Sequence, residues 1–233
     1  ERGRTLMEVP EPSGLDTAHA LAKGAIGSIP LVGNFAAEAF GLLITTPLTK
    51  RQNEWMQSVG DALDELMKRK SLTIDDLKQN EEFISIIMRA SRLAIQTHQS
   101  EKLNAFRNAI LNTVEPSSPE ESLRHMFLDY IDAMTVWHIR ILKLFVDPPK
   151  WFVDNNAPWP QSYISSSLDV LIYAAFKDLQ GKQDLLTQIC RELRDKGLAD
   201  IGISVSMTPD GLKSPRLKPL GVQFLAFIEP PPQ

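Results

Sequence analysis

Between Asp61 and Gln180 the chain has no glycine, and between Leu48 and Glu115 no proline, while apolar residues recur at helical spacing through the block. Glycine and proline are the worst residues for a helix interior, so this pattern predicts a succession of helices. From Leu48 to Lys70 one stripe carries Trp55, Val59, Leu63, Leu66 and Met67, with charges on the other side. Thr73 ahead of Asp75 and Asp76 predicts the cap of a short helix. Asn80 predicts the cap of a long one, from Glu81 to about Asn112, with Phe83, Ile87, Ala90, Ala94, Leu103, Phe106 and Ile110 on its inner face. Ser118-Pro119-Glu120-Glu121 sets a serine cap, a proline at the first helical position and a glutamate three residues after the cap. That helix carries Leu123, Phe127, Leu128 and Ile131; Thr135 recaps it through Trp137, Ile141, Leu144 and Phe145, and Pro148-Pro149 stops it.

The preceding stretch has another texture. From Gly24 to Thr49 it holds one charged side chain, Glu38, and four of the twelve glycines. It predicts two short helices, Leu15 to Ser28 and Asn34 to Thr45, bent at Ile29–Gly33, with a fresh helix start permitted by Pro47. Such a segment is buried, given to a partner or placed in a bilayer. It is long enough to cross a membrane, but Pro30, Asn34 and Glu38 make it a poor span. Burial inside the bundle is the favoured expectation, because Asn34 and Glu38 would otherwise face lipid at a cost of several kcal/mol. The alternative is a hairpin for membrane contact or self-association, presenting Ile29, Pro30, Leu31, Val32, Gly33, Phe35 and Phe40. Small residues at Gly24, Gly27, Ala36, Ala37 and Gly41 permit close helix approach, and Lys50-Arg51 could hold headgroups.

Residues 147–164 carry four prolines, Asn155-Asn156 and two tryptophans, and read as a linker whose Trp151 and Trp159 pack against something. Beyond it, Ser167 caps a helix containing Leu171, Ala174, Ala175 and Leu179 that Gln180-Gly181 breaks. Asp184 to Lys196 forms another, ended by Gly197 as C-cap glycine. Ile201–Ser206 alternates like a strand, Thr208–Gly211 reads as a turn, and Gly221–Ile228 as a short helix or strand. Helix, helix, strand, turned loop and closing element together resemble a reduced winged helix. Arg191–Leu198 is similar to the end of a recognition helix, and Lys218–Leu225 to the element after the wing. That resemblance implies phosphate contacts from Arg191, Arg194, Lys196, Lys213, Arg216 and Lys218. Against DNA, residues 165–233 hold eight basic and eight acidic side chains, and Asp184, Glu192 and Asp195 share the presumed reading helix.

The predicted architecture is therefore mostly α. A flexible 1–14 leads into a helical bundle over 15–146 that includes the apolar hairpin 24–48, and a small α/β winged-helix-like domain over 165–233 follows the 147–164 linker. A chain of 233 residues with 43% hydrophobic and 23% charged side chains is ordinary globular material. Net charge is −4, which weighs mildly against a nucleic-acid binder. One cysteine, Cys190, excludes an intramolecular disulfide and a thiolate metal site, and a cytoplasmic home is the simpler reading. No phosphate-binding glycine loop, H-E-x-x-H, calcium loop or nucleophile elbow is present, and His19, His98, His125 and His138 are not at ligand spacing. No metal, no cofactor and no enzymatic activity are expected. The densest polar set lies on the long helix, where Arg92, His98, Glu101, Arg107 and Asn108 are the candidate ligand-binding residues. Asn104, Asn108 and Asn112 form a polar ladder on the same helix, for which solvated faces and helix-to-helix hydrogen bonds are the simpler account.

Asp129–Leu142, Pro47–Arg51 and Pro219-Leu-Gly-Val-Gln-Phe224, with the Gly-rich apolar start, resemble in layout the bacterial abortive-infection proteins of the Abi-alpha type. The resemblance implies a defence effector or interaction component without established chemistry, and it carries no site residues. The expectation is a non-enzymatic bacterial protein acting by association, as a homo-oligomer or with a protein partner, and at the inner membrane where the apolar segment meets lipid. The alternative is a winged-helix transcriptional regulator whose bundle dimerises or senses a ligand.

Overall fold

A computed structural model of the chain describes residues 35–160, 166–203 and 205–231. Among them the structure is helical, in the order α1 (Phe35–Lys70), α2 (Ile74–Lys78), α3 (Glu81–Ala94), α4 (Ser100–Asn112), α5 (Glu121–Ala133), α6 (Val136–Leu144) and α7 (Pro148–Asp154). There follow α8 (Leu168–Ala175), a 3-10 turn (Lys177–Leu179), α9 (Gln183–Asp195), α10 (Pro209–Lys213) and α11 (Pro219–Ile228). The chain divides into two compact units, residues 1–62 and 63–233. No helix of the described residues is long and apolar enough to cross a membrane.

In the first unit α1 is continuous through Pro47, where two helices were expected. A proline ring removes one helical hydrogen bond, here the one to the Leu43 carbonyl. Leu43 and Pro47 are both exposed, so water can serve that oxygen. The expected burial of the apolar segment does not extend to its described side chains: from Leu43 to Lys50 none is buried, and Leu43 is 73% exposed. Ile29, Pro30, Leu31, Val32 and Gly33 lie outside the described residues, as do the first predicted helix and the side chains of Phe35 and Phe40. Further along, Gln52, Trp55 and Val59 are buried at one helical spacing.

In the second unit the N-caps follow local chemistry. Asp76 N donates to Thr73 Oγ1 at 3.2 Å while Thr73 N donates to Asp76 Oδ2 at 2.7 Å, closing a capping box on α2. Phe83 N donates to Asn80 Oδ1 at 2.9 Å and starts α3. The predicted long helix is two: the chain leaves α3 at Ile95 and re-enters at Ser100, with Gln99 N donating to Thr97 Oγ1 at 3.2 Å in the corner. The five-residue connection folds α4 back onto α3 as a helical hairpin. Ser118 is not a cap either. The α5 N-cap is Glu120, and Ser118 Oγ instead accepts from Arg124 at 3.3 Å. Pro148-Pro149 does not stop a helix but opens α7, capped by Asp147 Oδ1, which accepts from Lys150 N at 3.1 Å.

The predicted winged helix is absent. Among the described residues there is no sheet, only two isolated bridges, Ser166 with Met207 and Ala199 with Leu217. Ile201 and Ile203 are buried, so the alternation is real, but no neighbouring strand supplies a ladder. Thr208–Gly211 lies at the start of the short helix α10, and Gly221–Ile228 belongs to α11, whose Phe224, Phe227 and Ile228 face inward at helical spacing. The likeness to a recognition helix came from ordinary helix-ending chemistry. Gly197 sits at φ +71°, Gly197 N donates to Arg194 O and Leu198 N to Leu193 O, both at 2.9 Å, which is a Schellman closure of α9.

The core of this unit is built by α3, α4, α5, α6 and α11 around Phe106, Phe127, Phe145, Phe224 and Phe227, all fully buried. Phe127 meets Phe224 edge-on at 5.3 Å and Phe227 at 5.9 Å. Trp151 and Trp159 pack as expected, Trp151 against Phe176 at 5.2 Å and Trp159 against Phe152 at 5.1 Å. At the start of α11 the backbone passes so close to Leu198 that a Cβ on Gly221 would lie 2.0 Å from the Leu198 carbonyl oxygen. That oxygen accepts from Lys218 N at 2.9 Å, so it cannot retreat without breaking the bond that positions α11. Gly221→Ala is expected to cost about 3 kcal/mol or more in urea unfolding; a loss near the 0.5 kcal/mol of a surface change would show that the contact relaxes freely.

Candidate functional site

Each helix ends with four carbonyl oxygens that have no partner within the helix, and in a packed interior they need donors from elsewhere. The polar residues of α4 supply them. Asn108 Nδ2 donates to Ile228 O at 2.9 Å. Asn112 Nδ2 reaches Ala226 O at 3.2 Å, Phe227 O at 2.9 Å and Glu229 O at 2.8 Å, so its two protons are shared among three acceptors. Leu225 O is taken by Glu229 N at 2.9 Å. The end of α11 is thus satisfied from Leu225 to Glu229 by one local bond and two asparagines more than a hundred residues away in sequence. Both asparagines are buried; Asn104, the third member of the ladder, is exposed.

Two further helix ends are met the same way. Lys102 is buried and its ammonium donates to Asp132 O at 2.6 Å, in the last turn of α5. Burial pushes its pKa down, and the Asp132 carboxylate pulls it partly back. Arg124 of α5 donates to Thr113 O at 3.1 Å beyond α4 and pairs with Glu82 of α3. Glu115 lies buried beneath Lys70 at 2.6 Å and Arg69 at 3.5 Å.

The predicted ligand set is spread out by the break between α3 and α4. Arg92 and His98 are exposed, Arg92 on α3 and His98 in the corner. Glu101 pairs with Arg140 of α6, whose guanidinium holds the carboxyl below its usual range while partial burial opposes it. Arg140 also lies over the Trp137 ring, 4.9 Å from its centroid. Arg107 is half-buried, and Asn108 is engaged with α11. Of the residues assigned to phosphate contact, Arg191, Arg194, Lys213 and Lys218 are exposed and Lys196 is half-buried. Arg191 is joined to Gln188, and Lys213 to Asp210 at 3.1 Å. Lys196 lies over the Tyr130 ring at 5.1 Å. Arg216 turns back to Gly211 O and to Met207 Sδ, so it serves the loop that was read as a wing.

Sequence reasoning passed over His138 as a site. It is 3% exposed at the third position of α6, and its Nδ1 accepts from Thr135 N at 3.1 Å. Nε2 lies 3.1 Å from Glu192 Oε2 of α9. The T-x-x-H spacing after a helix end was the available signal, hidden because histidine is not a usual capping-box partner. Burial pushes the His138 pKa down against the pull of Glu192. Cys190, on α9, is buried and its thiol is pushed up to about 12 by that burial, which makes it a core residue without nucleophilic character.

Asn112→Ala is expected to cost about 2–3 kcal/mol in denaturant unfolding, since it orphans buried carbonyls as well as removing bonds. Glu101→Gln, at a pair more than a third exposed on both sides, is expected to cost under about 1 kcal/mol. Equal losses for the two would contradict the distinction drawn between them.

Comparison with protein-family models, with curated proteins and with solved structures finds no match to this chain.

Proposed function

We propose that this is a non-enzymatic protein that works by association, and that the apolar front of α1 joins it to a second copy of itself. One observation carries the reading: the described side chains of Leu43–Lys50 are all at least partly exposed, on a helix stretch without a charge between Glu38 and Lys50. An apolar helix left in water is a standing cost of roughly 25 cal/mol per Å², recovered when a like surface covers it. Asn108, Asn112, Lys102, Arg124 and Glu101 are occupied in helix ends and interhelical pairs, which supports a role as scaffold. On the resemblance to abortive-infection proteins, the proposed setting is bacterial defence.

Sedimentation velocity of the full chain across a hundredfold concentration range tests this. The expected result is a concentration-dependent dimer or higher oligomer that Leu43→Glu dissociates, with the melting temperature of the variant matching that of the dilute wild-type monomer. A monomer at every concentration contradicts self-association, and co-flotation of that monomer with liposomes would assign the same surface to lipid.

A further inference from the structure

The corner between α5 and α6 turns within two residues, Met134 and Thr135, and the first turn of α6 depends on a ring nitrogen. Thr135 N donates to His138 Nδ1, so that nitrogen must be unprotonated and the ring's proton sits on Nε2, aimed at Glu192. We propose that this corner is an acid-sensitive joint, in which proton uptake by His138 removes the acceptor that begins α6 and opens the turn. A proton on Nδ1 puts two donors face to face. The ring can then turn its new N–H only toward Thr135 Oγ1, 3.0 Å away, leaving the Thr135 amide without its partner.

The surroundings set the direction of the response. His138 occupies the third position of α6, where the positive end of the helix dipole opposes an imidazolium. The charged groups acting on the ring are Glu192 of α9, which favours the proton, and Lys196 at the C-cap of α9, which disfavours it, with Tyr130 of α5 beneath the lysine. Glu192 is itself held below its usual range, first by Gln188, and so stays ionised across the range considered. Desolvation outweighs Glu192, and the imidazole is neutral in the folded chain at neutral pH. The sign follows. The unfolded chain takes up a proton near pH 6.5, the folded chain only at lower pH, so this contribution is complete above about 6.5 and is lost as pH falls below it. Once pH passes beneath the folded-state value, no further change comes from this residue.

His138→Gln supplies the test, because glutamine at this position can accept from Thr135 N and does not titrate. In the full chain, the wild type is expected to lose up to about tenfold in its folding equilibrium constant per pH unit below 6.5, and the variant to lose measurably less over the same interval. Amide exchange at Thr135 should accelerate on acidification in the wild type beyond its intrinsic chemistry, and not in the variant. Identical pH slopes and identical Thr135 exchange in the two proteins overturn the proposal. If the variant does not fold, long-range proton–nitrogen spectra of the wild-type ring decide. A neutral Nε2–H tautomer that titrates below pH 6.5 supports the joint, and an Nδ1–H tautomer or a titration at or above 6.5 overturns it.

Discussion

The amide of Asn112, with Asn108 one turn earlier, closes the carbonyl end of α11 and so fixes the C-terminal helix against α4. The constraint behind it is general: a helix end buried without donors costs about 1–3 kcal/mol for each orphaned group. In this body the helices run from five to fourteen residues, lengths at which an isolated helix is marginal in water. Their stability must come from packing and from how their ends are finished. α11 shows the consequence, since its Phe224, Phe227 and Ile228 can enter the core only if the carbonyls that follow them enter too.

The same solution recurs with different chemistry. Lys102 finishes α5, and Arg124 reaches the end of α4 while pairing with Glu82. In each case the donor stands on a neighbouring helix, so the bond that completes one helix also sets its distance from another. At the start of α6, His138 does the corresponding work for an amide, and there the donor–acceptor match depends on a proton.

What could be read from the sequence divides along this line. Helix starts are finished by residues three positions away, and Thr73, Asn80 and Thr135 announced theirs. The glycine that ends α9 was equally local. Helix ends finished by Asn112, Lys102 or Arg124 involve partners 11 to 117 residues distant, and no local pattern encodes them; the same asparagines looked like a ligand cluster or a solvated ladder. The winged-helix reading failed because Gly197-Leu198 and the alternating Ile201 and Ile203 are compatible with a wing, but a ladder needs a second strand, which sequence spacing alone does not supply. The exposure of Leu43 was missed for a related reason. An uncharged stretch announces that something must cover it, and says nothing of whether the cover lies in the same chain.

The helical body uses Asn108, Asn112, Lys102 and Arg124 to finish its own helix ends, and the front of α1 leaves Leu43 exposed. The asparagine contacts make the helical body a single cooperative unit, with α11 locked to α4. Native-state hydrogen exchange measures this directly. The account predicts that the slowest amides of α11 exchange at the same opening free energy as those of α4, through one global unfolding. Amides of α11 that exchange several kcal/mol more easily than those of α4 would contradict it, showing that the asparagine contacts decorate the helix end without holding it.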